Sequence, residues 1–334
     1  MRCAQHPAGH QYFHRAFIGG EPWLWKRSLV SLVERGKGPW PANNDLPNVQ
    51  AWVLERLGGS PEGREMRSVS RILLDSISGL DRGQRIVNDW KANESALDTL
   101  ALWCDRFKNG EPLQYILEES NFYGLTLKMD ARALIPRPET EELIRHLLQR
   151  QEGVDPKRIV DIGTGSGCMA LAWKSQRPQD EVTGVDVSEA ALSLARENAK
   201  QLGFEDVHWE VLDVLESSPF KMTSMAKRAW DVVMSNPPYI PESERSSMEN
   251  RVVEFEPANA LFVSDQDPLC FYRAIATGCL EGAWLVSGGW LGLECHRDYC
   301  AAVAAWLSEQ SEWESIHLLD DLQGAPRMVL AQRK

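Results

Sequence analysis

The chain has 334 residues, 43% of them hydrophobic and 25% charged, and a formal net charge of −12. That length accommodates two domains, and the acidity argues against tight non-specific binding to nucleic acid, which depends on neutralising phosphates. No apolar run reaches the roughly 18 residues of a membrane span. Seven cysteines with no Cys-x-x-Cys pair argue against a disulfide framework or a zinc site and predict scattered reduced thiols and no bound metal.

In chain order, residues 1–49 come first as a leader. Arg2, Arg15, Lys26, Arg27, Arg35 and Lys37 are opposed over the first forty residues only by Glu21 and Glu34. This is compatible with a mitochondrial transit peptide and equally with an unstructured leader. The run Gly36-Lys37-Gly38-Pro39-Trp40-Pro41 breaks any helix. Residues 50–110 are predicted helical: Val69, Ile72, Leu73 and Ile77 recur at helical spacing, and Leu97, Leu100, Leu102 and Phe107 give a second amphipathic run. Residues 111–135 change pattern. Tyr115, Ile116, Phe122, Tyr123, Leu125, Leu127 and Met129 suit a β-hairpin joining two domains.

From residue 136 to 334 the pattern is α/β alternation. Pro136-Arg137-Pro138 opens a helix carrying Glu139, Glu141 and Glu142, acids that are ordinary partners of a helix N-terminus. The strand Arg158–Ile162 runs into Gly163-Thr164-Gly165-Ser166-Gly167, and Met169–Trp173 follows as a helix. Glycines there let the backbone approach a ligand closely and put N–H groups at a helix N-terminus. The second strand, Glu181–Asp186, ends in an acid able to hold ribose hydroxyls. A dinucleotide fingerprint requires G-x-G-x-x-G. Here the third glycine comes one residue early, which favours S-adenosylmethionine over a nicotinamide cofactor. Ser188 is a predicted N-cap, and Val207–Val211 is a third strand followed by Asp213, placed to hold an adenine amino group or simply to sit in solvent.

The strand Trp230–Met234 then delivers Ser235-Asn236-Pro237-Pro238-Tyr239, with Ile240–Ser243 predicted as a turn. Pro237 forces Asn236 into an extended conformation, and neither proline has an N–H. The result is a stiff pair of acceptors, an amide oxygen and a carbonyl oxygen, beside an aromatic face. That arrangement suits a planar –NH2 group. A bare Asn-Pro-Pro is also what a proline-rich turn after an edge strand looks like; the glycine turn and the acid upstream are what shift the balance. Further elements are predicted at Pro268–Ala276 (helix), Gly289–Glu294 (strand), Tyr299–Leu307 (helix), Ser315–Leu319 (strand) and Met328–Ala331, the last closing the sheet as an antiparallel partner.

With Asn-Pro-Pro-Tyr after the fourth strand, the chain resembles the amino-group methyltransferases that use S-adenosylmethionine. Ala133-Leu134-Ile135-Pro136-Arg137-Pro138-Glu139-Thr140-Glu141-Glu142-Leu143 narrows the likeness. It resembles the HemK/PrmC-type protein-(glutamine-N5) methyltransferases, as do Pro112–Ile116, Phe122-Tyr123-Gly124, Glu256-Pro257, Ala260-Leu261 and Asp321–Arg327. The resemblance covers residues 100–334. It implies a Rossmann-like class I methyltransferase sheet (residues 136–334), a small N-terminal helical domain that docks substrate (50–110) and a hairpin linker (111–135). It implies methyl transfer to the glutamine of the Gly-Gly-Gln loop of a peptide-chain release factor. The acceptor would lie against Asn236, Pro237, Pro238 and Tyr239, with Asn236, Pro237 and Tyr239 catalytic. Cofactor contacts would fall on Asp161, Gly163, Thr164, Gly165, Ser166, Gly167, Asp186, Asp213 and Asn236. The sequence departs from the family pattern at Val214, where an aromatic residue is usual, and at His296, where glycine is common. The expected protein is a monomer without membrane or stable nucleic-acid binding, in the mitochondrial matrix or a bacterial cytoplasm. Two other readings remain open at this point: a sister enzyme acting on a ribosomal-protein glutamine or a nucleobase amino group, and a non-catalytic methyltransferase-fold binding subunit.

Overall fold

The computed structural model describes residues 36–60, 63–151, 153–216 and 229–334. Of the leader expected over residues 1–49, residues 1–35 lie outside the described residues, whereas its last part is structured: Asp45 caps a helix that already begins at Leu46.

The described chain begins with four helices: α1 (Leu46–Arg56), α2 (Arg64–Ser78), α3 (Arg82–Val87) and α4 (Glu94–Lys108). The starts of α1, α3 and α4 are written in the sequence. The Asp45 side chain accepts from the Asn48 N–H, the Asn93 side chain from the Ala96 N–H, and Asp81 and Gln84 form a reciprocal capping box. The amphipathic faces meet in one core of Val49, Trp52, Val53, Leu73, Leu100, Trp103, Cys104 and Phe107. A salt bridge from Arg56 to Asp105 at 2.8 Å runs along its edge.

The next segment differs from the predicted hairpin. Leu113–Leu117 is a short helix, α5, rather than a strand. Tyr115 and Ile116 are residues that favour strands, but here both are buried, and the Tyr115 hydroxyl donates to the Ala133 carbonyl at 2.7 Å. Tertiary burial overrides local preference. The hairpin itself is confined to β1 (Glu119–Phe122) and β2 (Leu125–Lys128), turning at Tyr123-Gly124, where both residues have positive φ.

The larger α/β part follows as α6 (Pro138–Leu148), β3 (Arg158–Ile162), α7 (Cys168–Gln176), β4 (Glu181–Asp186), α8 (Glu189–Leu202), β5 (His208–Val211) and β6 (Trp230–Ser235). After it come β7 (Ile240–Pro241), a 3-10 turn (Glu242–Ser247), α9 (Asn250–Phe255), α10 (Ala258–Leu261), β8 (Phe262–Val263), α11 (Cys270–Leu280), β9 (Leu285–Glu294), α12 (Cys300–Ser308), β10 (Trp313–Asp320) and β11 (Pro326–Arg333). Among the described residues the sheet has seven strands in the order β10-β11-β9-β6-β3-β4-β5. Pairings from β9 through β5 are parallel, and β11 is antiparallel to both neighbours. So the last strand is interior and β10 is the edge. The segment predicted as a turn after Tyr239 instead makes a two-residue strand, β7, paired parallel with β8 before the 3-10 turn.

Both faces of the sheet are covered, which is why its strands read as near-continuous apolar runs. Val232 and Met234 of β6 pack with α6 and α7, whereas Val233 between them packs with α11 and α12. The order reverses between β3 and β6: β4 lies on one side of β3 and β6 on the other. In open α/β sheets, ligands bind in the crevice at the carboxyl ends of the strands flanking such a reversal.

Candidate active site

A cavity of about 240 Å³ lies in that crevice. Its floor is the turn after β3. Gly163, Gly165 and Gly167 all have positive φ, of 73°, 55° and 82°, a conformation that L side chains rarely adopt. Two bonds to the Val185 carbonyl, from the Gly163 and Thr164 N–H groups at 2.8 and 2.9 Å, anchor the turn to the end of β4. Asp186 completes the anchor. One of its carboxylate oxygens accepts from the Gly165 N–H at 2.9 Å and the other from the Ser188 N–H at 2.9 Å. Burial raises its carboxyl above the ordinary carboxylate range, partly offset by those backbone bonds.

The opposite wall is the end of β6. The buried Ser235 hydroxyl donates to the Ile162 carbonyl at 2.6 Å, tying β6 to β3, so that Asn236 leaves the sheet beside the glycine turn. Asn236, Pro237 and Pro238 all line the cavity, as do Gly163, Thr164, Gly165, Ser166, Asp186 and Asp213. Among the described residues no hydrogen bond is formed to the main-chain carbonyl of Asn236 or Pro237. Asp213 is exposed, and its Oδ1 accepts from the Leu215 N–H at 2.9 Å. Val214 lines the same wall as an aliphatic surface.

Three residues expected at the site stand elsewhere. Asp161 is fully buried beneath the turn, where its Oδ2 accepts from the Thr164 hydroxyl at 2.6 Å and the Ala170 N–H at 3.2 Å. Loss of hydration pushes its carboxyl up to about 7. It shapes the turn and does not line the cavity. Gly167 caps α7, and a Cβ there would sit 2.8 Å from the Trp209 ring. Tyr239 lies outside the cavity wall. Its ring packs on the core under α11 and α12, 6.1 Å from the His296 ring, and its hydroxyl donates to Glu294 Oε1 at 3.3 Å.

Thr140 lines the cavity behind Asn236 and Glu294 backs it, and neither stood out in the sequence as a site residue. Both are buried, 1% and 2% exposed. The Thr140 hydroxyl donates to Glu294 Oε2 at 2.6 Å, and the Asn236 Nδ2 donates to the Thr140 oxygen at 3.2 Å. A second tether holds the approach to α6. Glu256 accepts from the Ile135 N–H at 3.1 Å and from Arg137 Nη2 at 2.7 Å, closing the cavity with the segment Pro257–Ala260.

The family model for the methyltransferase small domain matches residues 138–259, which span this turn and the Asn236 wall. The chain is 37% identical over 293 residues to the release factor glutamine methyltransferase of Bacteroides thetaiotaomicron, covering 86% of this chain and 100% of that one. It belongs to the release factor glutamine methyltransferase family. The Lactococcus lactis member is 36% identical over 241 residues, covering 72% of this chain and 84% of its own. Among solved structures, the release-factor-specific protein-(glutamine-N5) methyltransferase of Alicyclobacillus acidocaldarius is 25% identical, with a TM-score of 0.36 over 60% of this chain and 94% of that one. The methyl donor is S-adenosylmethionine, and the crevice suits it. The glycine turn leaves backbone open to a ligand, and Asp186 at the end of β4 has acceptor capacity left for hydroxyls. Among the described residues no helix is long and apolar enough to cross a membrane.

Proposed function

We propose that this chain transfers a methyl group to the side-chain nitrogen of the glutamine in the Gly-Gly-Gln loop of a peptide-chain release factor. The observation that carries this reading is the fixed Asn236. With Nδ2 engaged by Thr140, its Oδ1 is the group left to accept, next to the free carbonyl of Pro237. Two acceptors on adjacent residues are the complement of the two N–H bonds of a primary carboxamide.

In this reading Gly163, Thr164, Gly165, Ser166, Asp186 and Asp213 hold the donor, which when bound supplies an electrophilic methyl on sulfur. The amide nitrogen is a weak nucleophile because its lone pair is shared with the carbonyl. Asn236 and Pro237 orient it in line with the methyl carbon and stabilise the positive charge that grows as the C–N bond forms. The nitrogen takes the methyl as the methyl–sulfur bond breaks, leaving the donor a neutral thioether, and then gives one N–H proton to solvent. Orientation of this kind is worth up to about 7–11 kcal/mol in favourable cases. Tyr239 acts from behind, through Glu294, rather than by covering the amide plane. Asp161 and Gly167 serve the turn. The helices of residues 50–110 dock the protein substrate, the hairpin joins them to the methyltransferase domain, and the enzyme works as a monomer. The relatives named above are bacterial, which favours a bacterial cytoplasm over mitochondrial import.

The test is methylation with labelled S-adenosylmethionine of a bacterial release factor, of the same factor with its loop glutamine replaced by alanine, and of DNA. Label on the first alone supports the reading. Label on DNA, or on the glutamine-free factor, overturns it.

A further inference from the structure

The hydrogen-bonded chain Asn236–Thr140–Glu294–Tyr239 does more than pack. A threonine hydroxyl has one hydrogen to give, and an ionised carboxylate can only accept. At 2.6 Å from Glu294 Oε2, the Thr140 hydrogen is committed to the carboxylate. The side of the Thr140 oxygen that faces Asn236 is then a lone pair. An asparagine side chain is nearly symmetric in shape, so its two orientations are distinguished by hydrogen bonding alone. Only the orientation with Nδ2 toward Thr140 is compatible with that lone pair, and it turns Oδ1 to the substrate side.

We propose that Thr140 and Glu294 are positioning residues that set the polarity of the acceptor site, so that Asn236 presents a hydrogen-bond acceptor while Glu294 is ionised and a donor once Glu294 is protonated. A protonated Glu294 can donate to the Thr140 oxygen. The Thr140 hydrogen is then released toward Asn236, and the amide turns over to accept it. Its –NH2 then faces the –NH2 of the substrate, two donors in opposition, and the substrate amide loses its partner. No bond is made or broken in this switch; one proton from solvent changes the sense of two hydrogen bonds. It holds only if Asn236 accepts from the substrate amide, as proposed above.

The groups around Glu294 frame its titration. Thr140 and Glu139 come from α6, Tyr239 from the segment after β6, Arg327 from β11, and the thiols of Cys168, Cys295 and Cys300 lie near. Burial raises the Glu294 carboxyl above the ordinary glutamate range. Glu139 adds to the rise, and the Thr140 and Tyr239 bonds and the Arg327 charge oppose it. Methylation should therefore fall with decreasing pH as Glu294 takes up its proton.

Thr140→Val, Thr140→Ser and Glu294→Gln test the switch in the full-length protein. Turnover of a bacterial release factor is measured across pH, with S-adenosylhomocysteine affinity measured by calorimetry. Valine keeps the threonine shape without the hydroxyl. Its turnover should drop about 10²-fold, the scale of a misoriented reacting group, with the affinity for S-adenosylhomocysteine unchanged. Serine restores the hydroxyl and should return turnover to within a few-fold of wild type. Glutamine at 294 cannot titrate, and its amide can either accept from or donate to Thr140. Glu294→Gln should therefore lose the acidic fall that wild type shows, whatever its turnover at neutral pH. The inference is overturned if Thr140→Val turns over like wild type, if serine fails to rescue, or if Glu294→Gln keeps the acidic fall. Should Thr140→Val not fold, the serine and glutamine variants decide by the same criteria. Wild type that does not methylate the release factor refutes the functional reading; active wild type with indifferent variants refutes only the switch.

Discussion

Gly165 and Gly167 lie two residues apart in one turn, and the structure assigns them opposite duties. Replacing either by alanine puts a side chain into left-handed backbone, at φ of 55° and 82°, which costs roughly 1–2 kcal/mol. Beyond that the two sites diverge. A Cβ at Gly165 meets nothing closer than Ala133 Cβ at 3.8 Å, an ordinary contact, but it projects beside the cavity. A Cβ at Gly167 meets Trp209 at 2.8 Å, Ala195 at 3.1 Å and Leu171 at 3.2 Å. Overpacking of that kind adds about 1–3 kcal/mol. Gly167→Ala should therefore lose roughly 2–5 kcal/mol of stability and Gly165→Ala only about 1–2 kcal/mol. The order reverses for the ligand: Gly165→Ala should bind S-adenosylhomocysteine at least ~10-fold more weakly, the scale of one misplaced methyl group in a pocket. Urea denaturation without ligand measures the first quantity and calorimetry of the folded variants the second. Equal loss of stability in the two variants, or wild-type affinity in Gly165→Ala, would refute this division of the turn.

Three further outcomes follow from the same geometry. Asn236→Ala should lower turnover by roughly 10²–10³-fold, as for one lost preorganised polar partner, with S-adenosylhomocysteine affinity little changed; abolished cofactor binding with near-normal single-turnover methylation would move the acceptor role elsewhere. Asp186→Ala should weaken S-adenosylmethionine binding by about 1.5–3 kcal/mol in calorimetry, and should also reduce stability without ligand, because the Gly165 and Ser188 N–H groups lose their acceptor; unaltered affinity counts against the role. Glu197, bonded to Arg132 at 2.7 Å and paired with Lys128, has its carboxyl pushed down to about 2. A depressed folded value means stability that is present above the unfolded value of about 4.3 and lost as pH falls toward 2. The stability gap between wild type and Glu197→Gln in urea should thus be level from pH 7 to 5 and close below that; a gap that stays constant to pH 3 would contradict the pairing.

Much of the frame was legible because its signals are local. β-Branched runs at Ile159–Val160 and Val182–Val185, a glycine turn, an acid at a strand end and Asn236 held by two prolines each announce themselves within a few residues. What the sequence did not show is where chain direction or burial decides. Asp161 stands two residues before the turn and reads as a ligand contact, but its side chain goes under the turn to Thr164 and Ala170. Tyr239 adjoins a cavity residue, yet the chain leaves there into β7 and the ring joins the core. Tyr115 and Ile116 have strand preference, but α5 buries them against two different cores. Nothing in residue type or spacing distinguishes these outcomes.

Thr140 and Glu294 show a harder limit. They are 154 residues apart, and each is unremarkable where it stands, a hydroxyl in the first turn of a helix and an acid at a strand end. Their meaning arises only when α6 is laid across the end of β9. Gly292, two residues before Glu294, makes that approach possible: a Cβ there would meet Leu147 at 2.7 Å and Leu143 at 3.1 Å, both from α6. The absence of one side chain on β9 thus lets the helix settle close enough for Thr140 to reach Glu294, and through Thr140 the helix holds the side chain of Asn236, just beyond the end of β6. On the proposed reading, the motif from Ala133 to Leu143 and the Asn-Pro-Pro-Tyr segment, separated in sequence by about a hundred residues, form one acceptor site. The first supplies the constraint and the second the contact. A substitution that lifts α6, such as Gly292→Ala, should accordingly damage turnover without touching a residue that lines the cavity.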